Sequence, residues 1–233
     1  MTTTAIRPTP TMRIRQPLAA ASLLGALIAS AMALVWAPPD VNQGEVQRIM
    51  YVHVPSAWTA YLAFFVVFLA SIGWLWTRRH VFDAIAVASA EVGVLFTGLA
   101  LVTGSIWAKP TWGVWWTWEP RLITTAVMFV MYLGYLLLRS LSSDVDGRAT
   151  RAAVIGIVAV VNVPIVHLSV TWMNALHQLP TVLRPGGPSL DGRMLATLLV
   201  SVVAFTVIYA WLTLGRVELE TERQKRLLDA QAA

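Results

Sequence analysis

Apolar residues along this chain gather into six long runs, at about 17–37, 55–77, 83–107, 121–138, 152–173 and 194–215, divided by short polar loops. A bilayer core of ~30 Å needs roughly 20 helical residues to cross it, and each run is near or beyond that length. None shows strict alternation over ten-residue units, which argues against a β-barrel. Helices satisfy their own backbone hydrogen bonds inside lipid, so the pattern predicts an all-α polytopic membrane protein with six transmembrane helices.

The polar positions predict which way the bundle faces. Arg7, Arg13, Arg15, Arg78, Arg79, Arg139, Arg148, Arg151, Arg216, Arg223, Lys225 and Arg226 fall on one side of the runs. Only Arg48, Lys109, Arg121, Arg184 and Arg193 fall on the other. The positive-inside rule puts the first group, with both termini, in the cytoplasm. The loops at about 38–54, 108–120 and 174–193 then face outward. The first run has a basic lead, but it is longer than a signal-peptide core and no clear A-x-A site precedes Pro38, so it reads as a retained helix. Three parts are expected: a disordered tail over 1–16, a membrane domain over 17–215, and a short charged cytoplasmic helix over 216–233, with Glu222 and Arg226 spaced for pairing.

Composition agrees and excludes several classes. Of the 233 residues, 57% are hydrophobic and 12% charged, about half the usual charged share of a soluble protein. The net charge of +5 is spread over loops between apolar runs, which suits a lipid surface and not nucleic acid. There is no cysteine, which removes thiol redox chemistry, disulfides and thiolate ligation. No phosphate-cradling glycine loop, internal repeat or soluble domain is evident.

The chemistry concentrates in one outward loop. Five of the eleven tryptophans, Trp107, Trp112, Trp115, Trp116 and Trp118, fall within twelve residues. An interfacial aromatic belt places one or two per helix end. Five in one loop, with Pro110 and Gly113 shaping the backbone, suit a platform for a large planar ring, because indole offers a flat polarisable face and one N–H donor. Lys109 and Arg121 add positive charge, and arginine can grip a carboxylate with two parallel hydrogen bonds. A porphyrin with two propionates fits such a loop, as do a quinone and a flavin.

Only four histidines exist. His53, expected just outside the second helix with Pro55 in its first turn, and His177, just past the fifth, lie on the same side as the tryptophans. Neutral imidazoles approaching opposite faces of one ring would saturate a haem iron. His167 lies in the fifth helix after Asn162 and Pro164, which predict a kink there. A hydrogen bond inside the bundle is its simplest role. His80, beside Arg78 and Arg79, reads as an anchor on the far side. Glu91 lies inside the third helix, either neutral or paired with a polar neighbour.

The run Trp112-Gly113-x-Trp115-Trp116-x-Trp118-Glu119 resembles the WWD motif of the haem-handling family of cytochrome c biogenesis. Together with Tyr51-Val-His53-Val-Pro55, Val102-Thr-Gly-Ser-Ile-Trp107, Asn162-x-Pro164-Ile-Val-His167 and Trp172-Met-Asn174-Ala-Leu-His177-Gln178, it is similar to the smallest branch, maturation protein C, over about residues 40–210. The resemblance implies a six-helix bundle in the bacterial inner membrane with an external, periplasmic haem site. It implies that His53 and His177 are the axial ligands, that Trp112, Trp115, Trp116 and Trp118 are the motif's aromatics and that Arg121 is the arginine after its acid. On this reading haem b is held non-covalently on a platform that also takes in Trp107 and Glu119, and Arg48, Arg121 and Arg184 are the candidates for its propionates. The implied partners are the ATPase and permease subunits of an ABC transporter, a small membrane subunit and a periplasmic haem chaperone. The implied role is haem transfer without a hydrolytic or redox catalytic set. The motif's usual Asp is Glu119 here. Other readings are a haem-translocating permease, which needs a polar path through Glu91, Asn162 and His167, and a quinone-binding or structural subunit of a respiratory complex.

Overall fold

The computed structural model describes residues 10–141, 144–173 and 175–232. Arg7, the first nine residues of the expected tail and Asn174 lie outside the described residues. Among the described residues the chain is all-α, with one isolated backbone bridge between Asp40 and Gly44. The helices are α1 (Pro10–Ala31), α2 (Met50–Thr77), α3 (His80–Trp112), α4 (Pro120–Ser140), α5 (Val145–Ala159), α6 (Asn162–Trp172) and α7 (Gly192–Ala232). A π-helical turn, Met32–Trp36, extends α1, and a 3₁₀ turn, Glu45–Ile49, leads into α2. Because α5 and α6 together make one crossing, six spans are long and apolar enough for a membrane.

The central pair is α2 with α3. They are joined at Arg78 and Arg79, where Arg78 takes a left-handed φ of 57° and its N–H closes α2 on the Trp74 carbonyl. Small residues let the two backbones approach, as lipid-embedded helices require. Ala60, Ala63 and Ala70 of α2 face Ala86 and Ala90 of α3 in one buried cluster. A Cβ on Gly93 would lie 2.6 Å from the Phe64 ring. Phe64 in turn stacks on Tyr132 of α4, ring centroids 3.5 Å apart. The buried Ser89 hydroxyl donates to the Ala63 carbonyl at 2.8 Å and meets the Tyr209 hydroxyl at 2.7 Å, which ties α7 to this core.

The fifth span breaks where Asn162 and Pro164 predict a kink. Val160 and Val161 form a turn, and the Val163 N–H bonds back to the Val160 carbonyl at 2.9 Å. Pro164 has no N–H for an α-helical bond at this point. Asn162 donates instead to the Thr124 carbonyl of α4 at 2.9 Å. The break therefore swings α6 onto α4, while α5 packs on α2 and α4.

Both tails differ from expectation. Helix α1 already runs from Pro10, so residues 10–16 of the expected disordered tail are helical, with Pro17 inside the helix. The charged C-terminal stretch is no separate short helix. It continues α7 without interruption to Ala232, because nothing in it breaks a helix and one face is anchored. Arg139 of α4 grips Asp83 of α3 with two hydrogen bonds, 2.5 and 2.7 Å. Gln224 of α7 donates to the same carboxylate at 2.8 Å, and Glu220 of α7 stands 3.7 Å from Arg139 and 3.6 Å from Arg148 of α5. All five side chains are buried. Arg15 of α1 reaches Glu218 at 2.8 Å. Arg139 and Arg148, counted above as loop charges, are thus members of a closed ion network. Glu222 pairs with Lys225, three residues on, at 3.1 Å. Glu91 is paired too, with Arg216 at 2.8 Å. His80 lies 3.7 Å from Asp146 and against the Trp74 ring, as an anchor at this end.

Candidate functional site

Five segments meet at the opposite end of the bundle from the termini: the start of α2, the end of α3, the start of α4, the end of α6 and the loop before α7. They surround a cavity of about 400 Å³, within the range of pockets that take cofactor-sized ligands. His53, Trp107, Trp112, Trp116, Arg121 and His177 all line it.

His53 stands inside α2, in its first turn, and not just before the helix. The 3₁₀ turn Glu45–Ile49 has already nucleated the helix, so Pro55 removes only the one bond that its N–H would have made to the Tyr51 carbonyl. The placement fixes the imidazole. Its Nδ1 lies 3.0 Å from the Ala100 carbonyl and 3.2 Å from the Thr103 hydroxyl of α3. The carbonyl can only accept, which puts a proton on Nδ1, so that in the neutral ring the lone pair is on Nε2. Trp107 meets the ring edge-on at 5.7 Å and is itself held by its N–H to Gln43 at 2.8 Å. Gly104 makes room, because a Cβ there would stand 3.0 Å from His53 Cε1.

His177 reaches the same cavity from the loop after α6. Its Nδ1 faces the Gln178 carbonyl at 3.3 Å, again leaving Nε2 as the lone-pair nitrogen. Trp112 meets it edge-on at 6.3 Å. Burial, aided by the positive charge of Arg121 and by His53, holds its pKa down to about 4. The imidazole is therefore neutral at physiological pH and able to bind a metal ion. Arg121 lines the same cavity as His53, Tyr61 and His177.

The tryptophan loop divides. Helix α3 runs through Pro110 to Trp112 and ends at Gly113, whose φ of 77° suits only glycine comfortably. Lys109 closes that end by donating to the Gly113 carbonyl at 2.9 Å. Trp107, Trp112 and Trp116 face the cavity, and the buried Trp116 indole N–H has no partner among the described residues. Trp115 and Trp118 are 58% and 82% exposed and lie outside the lining.

Glu119 is not part of the lining either. It is the N-cap of α4, accepting from the Leu122 N–H at 2.9 Å, with Pro120 as the first helical residue. A carboxylate at that position satisfies an orphan donor and suits the helix dipole. The extra methylene relative to the motif's usual Asp is absorbed in this cap. Arg48 is consumed elsewhere, bonded to Glu45 and to the Ala33 and Ala37 carbonyls. Arg184 also lies outside the lining. Of the three arginines expected on propionates, the geometry brings only Arg121 to the cavity. Gly104, Tyr61, Thr97 and Met128 line it as well. Only Gly104 carried a sequence signal, through the Val102-to-Trp107 stretch.

A family model described as "Heme exporter protein C" matches residues 4–231. Among similar proteins, "Heme exporter protein C" of Bradyrhizobium diazoefficiens is 42% identical over 189 residues, covering 81% of this chain and 72% of its own length. The protein of the same name from Haemophilus influenzae is 40% identical over 199 residues, covering 83% and 80%. A Marchantia polymorpha protein named "Putative cytochrome c biosynthesis ccmC-like mitochondrial protein" is 37% identical over 180 residues, covering 76% of each.

Proposed function

The chain belongs to the Heme exporter protein C family, and we propose that it holds haem b at the periplasmic face of the inner membrane and delivers it to a periplasmic haem chaperone for c-type cytochrome assembly. His53 and His177 are the axial ligands, through Nε2. Trp107, Trp112 and Trp116 wall the ring. Arg121 pairs with a propionate, and the unpartnered Trp116 N–H is a second donor for ring carboxylates. The ATPase and permease subunits of an ABC transporter and a small membrane subunit are its membrane partners. Its contribution is binding, orientation and release, with no hydrolytic or redox set of its own.

One observation carries this reading. Two imidazoles, each with Nδ1 turned to a backbone carbonyl, reach one indole-walled cavity from different segments. Carbonyl-anchored imidazoles are the usual form of metal-ligating histidine. The outward orientation rests on the arginine and lysine asymmetry. A permease path across the whole bundle has less support. Glu91 is engaged by Arg216, Asn162 by the Thr124 carbonyl, and the lining reaches no deeper than about Thr97 and Met128.

The chain purified in detergent after haem feeding is expected to show a Soret band, and to lose it to added haem chaperone. A chain that takes up no chromophore would return the quinone-binding or structural reading. Gly104→Ala is expected to weaken haem binding about tenfold, a cost near 1.4 kcal/mol, with unchanged helical circular dichroism. The added Cβ presses on His53 Cε1 and turns the ring from its Ala100 acceptor. Spectral titration checks it. Affinity equal to wild type would show that the His53 orientation is not critical.

A further inference from the structure

The cavity does not end at the loops. Tyr61 lies eight residues along α2 from His53, about 12 Å deeper at 1.5 Å per residue. His167 lies five residues before the end of α6, about 8 Å below it. Both line the cavity, and their rings meet edge-on at 6.2 Å. They come from helices that barely touch, because the break at Val160–Val161 sends α6 onto α4 and leaves at most glancing backbone contact with α2.

His167 itself is unusual in its setting. Its side chain is exposed at membrane depth, and among the described residues neither ring nitrogen has a hydrogen-bond partner. The hydrogen bond expected of it inside the bundle is therefore not made. A polar side chain at that depth without a partner is costly and marks a functional surface by default. Asn162, five residues earlier, shows the contrast, because its amide is spent on α4.

We propose that the cavity is reached sideways between α2 and α6 from the outer half of the bilayer when the touching rings of Tyr61 and His167 part, with His167 as the first iron ligand for haem arriving from lipid. This rests on the haem reading above. Haem is an amphiphile whose flat apolar ring partitions into bilayers with its carboxylates toward the headgroups. From His167 it moves outward, carboxylate first, along Arg121, which lines the cavity together with Tyr61, His53 and His177. Ligation then passes from one imidazole to the final pair.

The test compares two loading routes into the whole chain reconstituted in phosphatidylcholine vesicles, followed by the growth of the bound Soret band. In one, ferric haem is dissolved in the bilayer. In the other, it is presented from the water phase on serum albumin. His167→Gln, which keeps size and polarity but ligates iron poorly, is expected to slow loading from lipid at least about tenfold. The albumin route and final occupancy should stay at wild-type levels. His167→Met, with a thioether ligand, should recover most of the lipid rate. Wild-type lipid loading in His167→Gln would overturn the portal. So would equal slowing by both routes, or loss of final occupancy in both variants. A wild-type chain that takes haem by neither route would sink the haem reading itself, and the portal with it.

Discussion

Replacing His53 and His177 together with alanine is expected to abolish haem retention through purification, while either single replacement leaves a five-coordinate, high-spin haem. The two rings approach from segments 124 positions apart in sequence, so neither can move to compensate for the other. Changes to groups around a metal ligand typically cost ~10–100-fold in affinity, and removal of both ligands should exceed that. Added imidazole should restore the low-spin spectrum of either single variant, because each deletion leaves an imidazole-sized space. Absorption spectra with and without imidazole check the result. A double variant that keeps a wild-type Soret band would place the iron elsewhere.

The second large effect lies at the other end of the molecule. Arg139→Met is expected to destabilise the bundle by about 3–5 kcal/mol, the usual cost of stripping one partner from a buried ion pair. Asp83 would lose two hydrogen bonds, and Glu220 one of the three arginines around it, leaving Arg148 and Arg223. Thermal unfolding in detergent should fall by about 10 °C. The paired variant Asp83→Leu/Arg139→Met should recover much of the loss, since an apolar replacement of both partners leaves no uncompensated charge between them. An Arg139→Met protein as stable as wild type would mean that water solvates Asp83 and that the network is not closed. Haem spectra of folded Arg139→Met should match wild type, because the network is remote from the cavity.

The six spans were legible because bilayer thickness sets a minimum length for apolar runs, and the break in the fifth span because Asn162 and Pro164 are local signals. The C-terminal extension was not. Its partners Asp83 and Gln224 lie 141 positions apart, and a charged run looks the same whether it is solvated or folded against buried counter-charges. Sequence offered Arg48 to a ligand, whereas the fold gives it to Glu45 and to the Ala33 and Ala37 carbonyls at the turn that follows α1. In the tryptophan loop, composition marked the right segment. Which indoles face inward depended on where α3 ends, and Gly113 ends it later than the apolar pattern suggested. His53 was placed correctly in space and wrongly in the helix, because a 3₁₀ turn upstream of Pro55 carries no strong sequence mark.

The claim on which the account turns is that one iron is held by two imidazole nitrogens from this chain. Pulsed EPR on the ferric haem-loaded protein, with its histidines alone labelled with ¹⁵N, reads those nitrogens directly. Two labelled nitrogens coupled to the iron, falling to one in His53→Ala and to one in His177→Ala, is the predicted result. Coupling to fewer than two in the wild type, or two that persist in either variant, would contradict it.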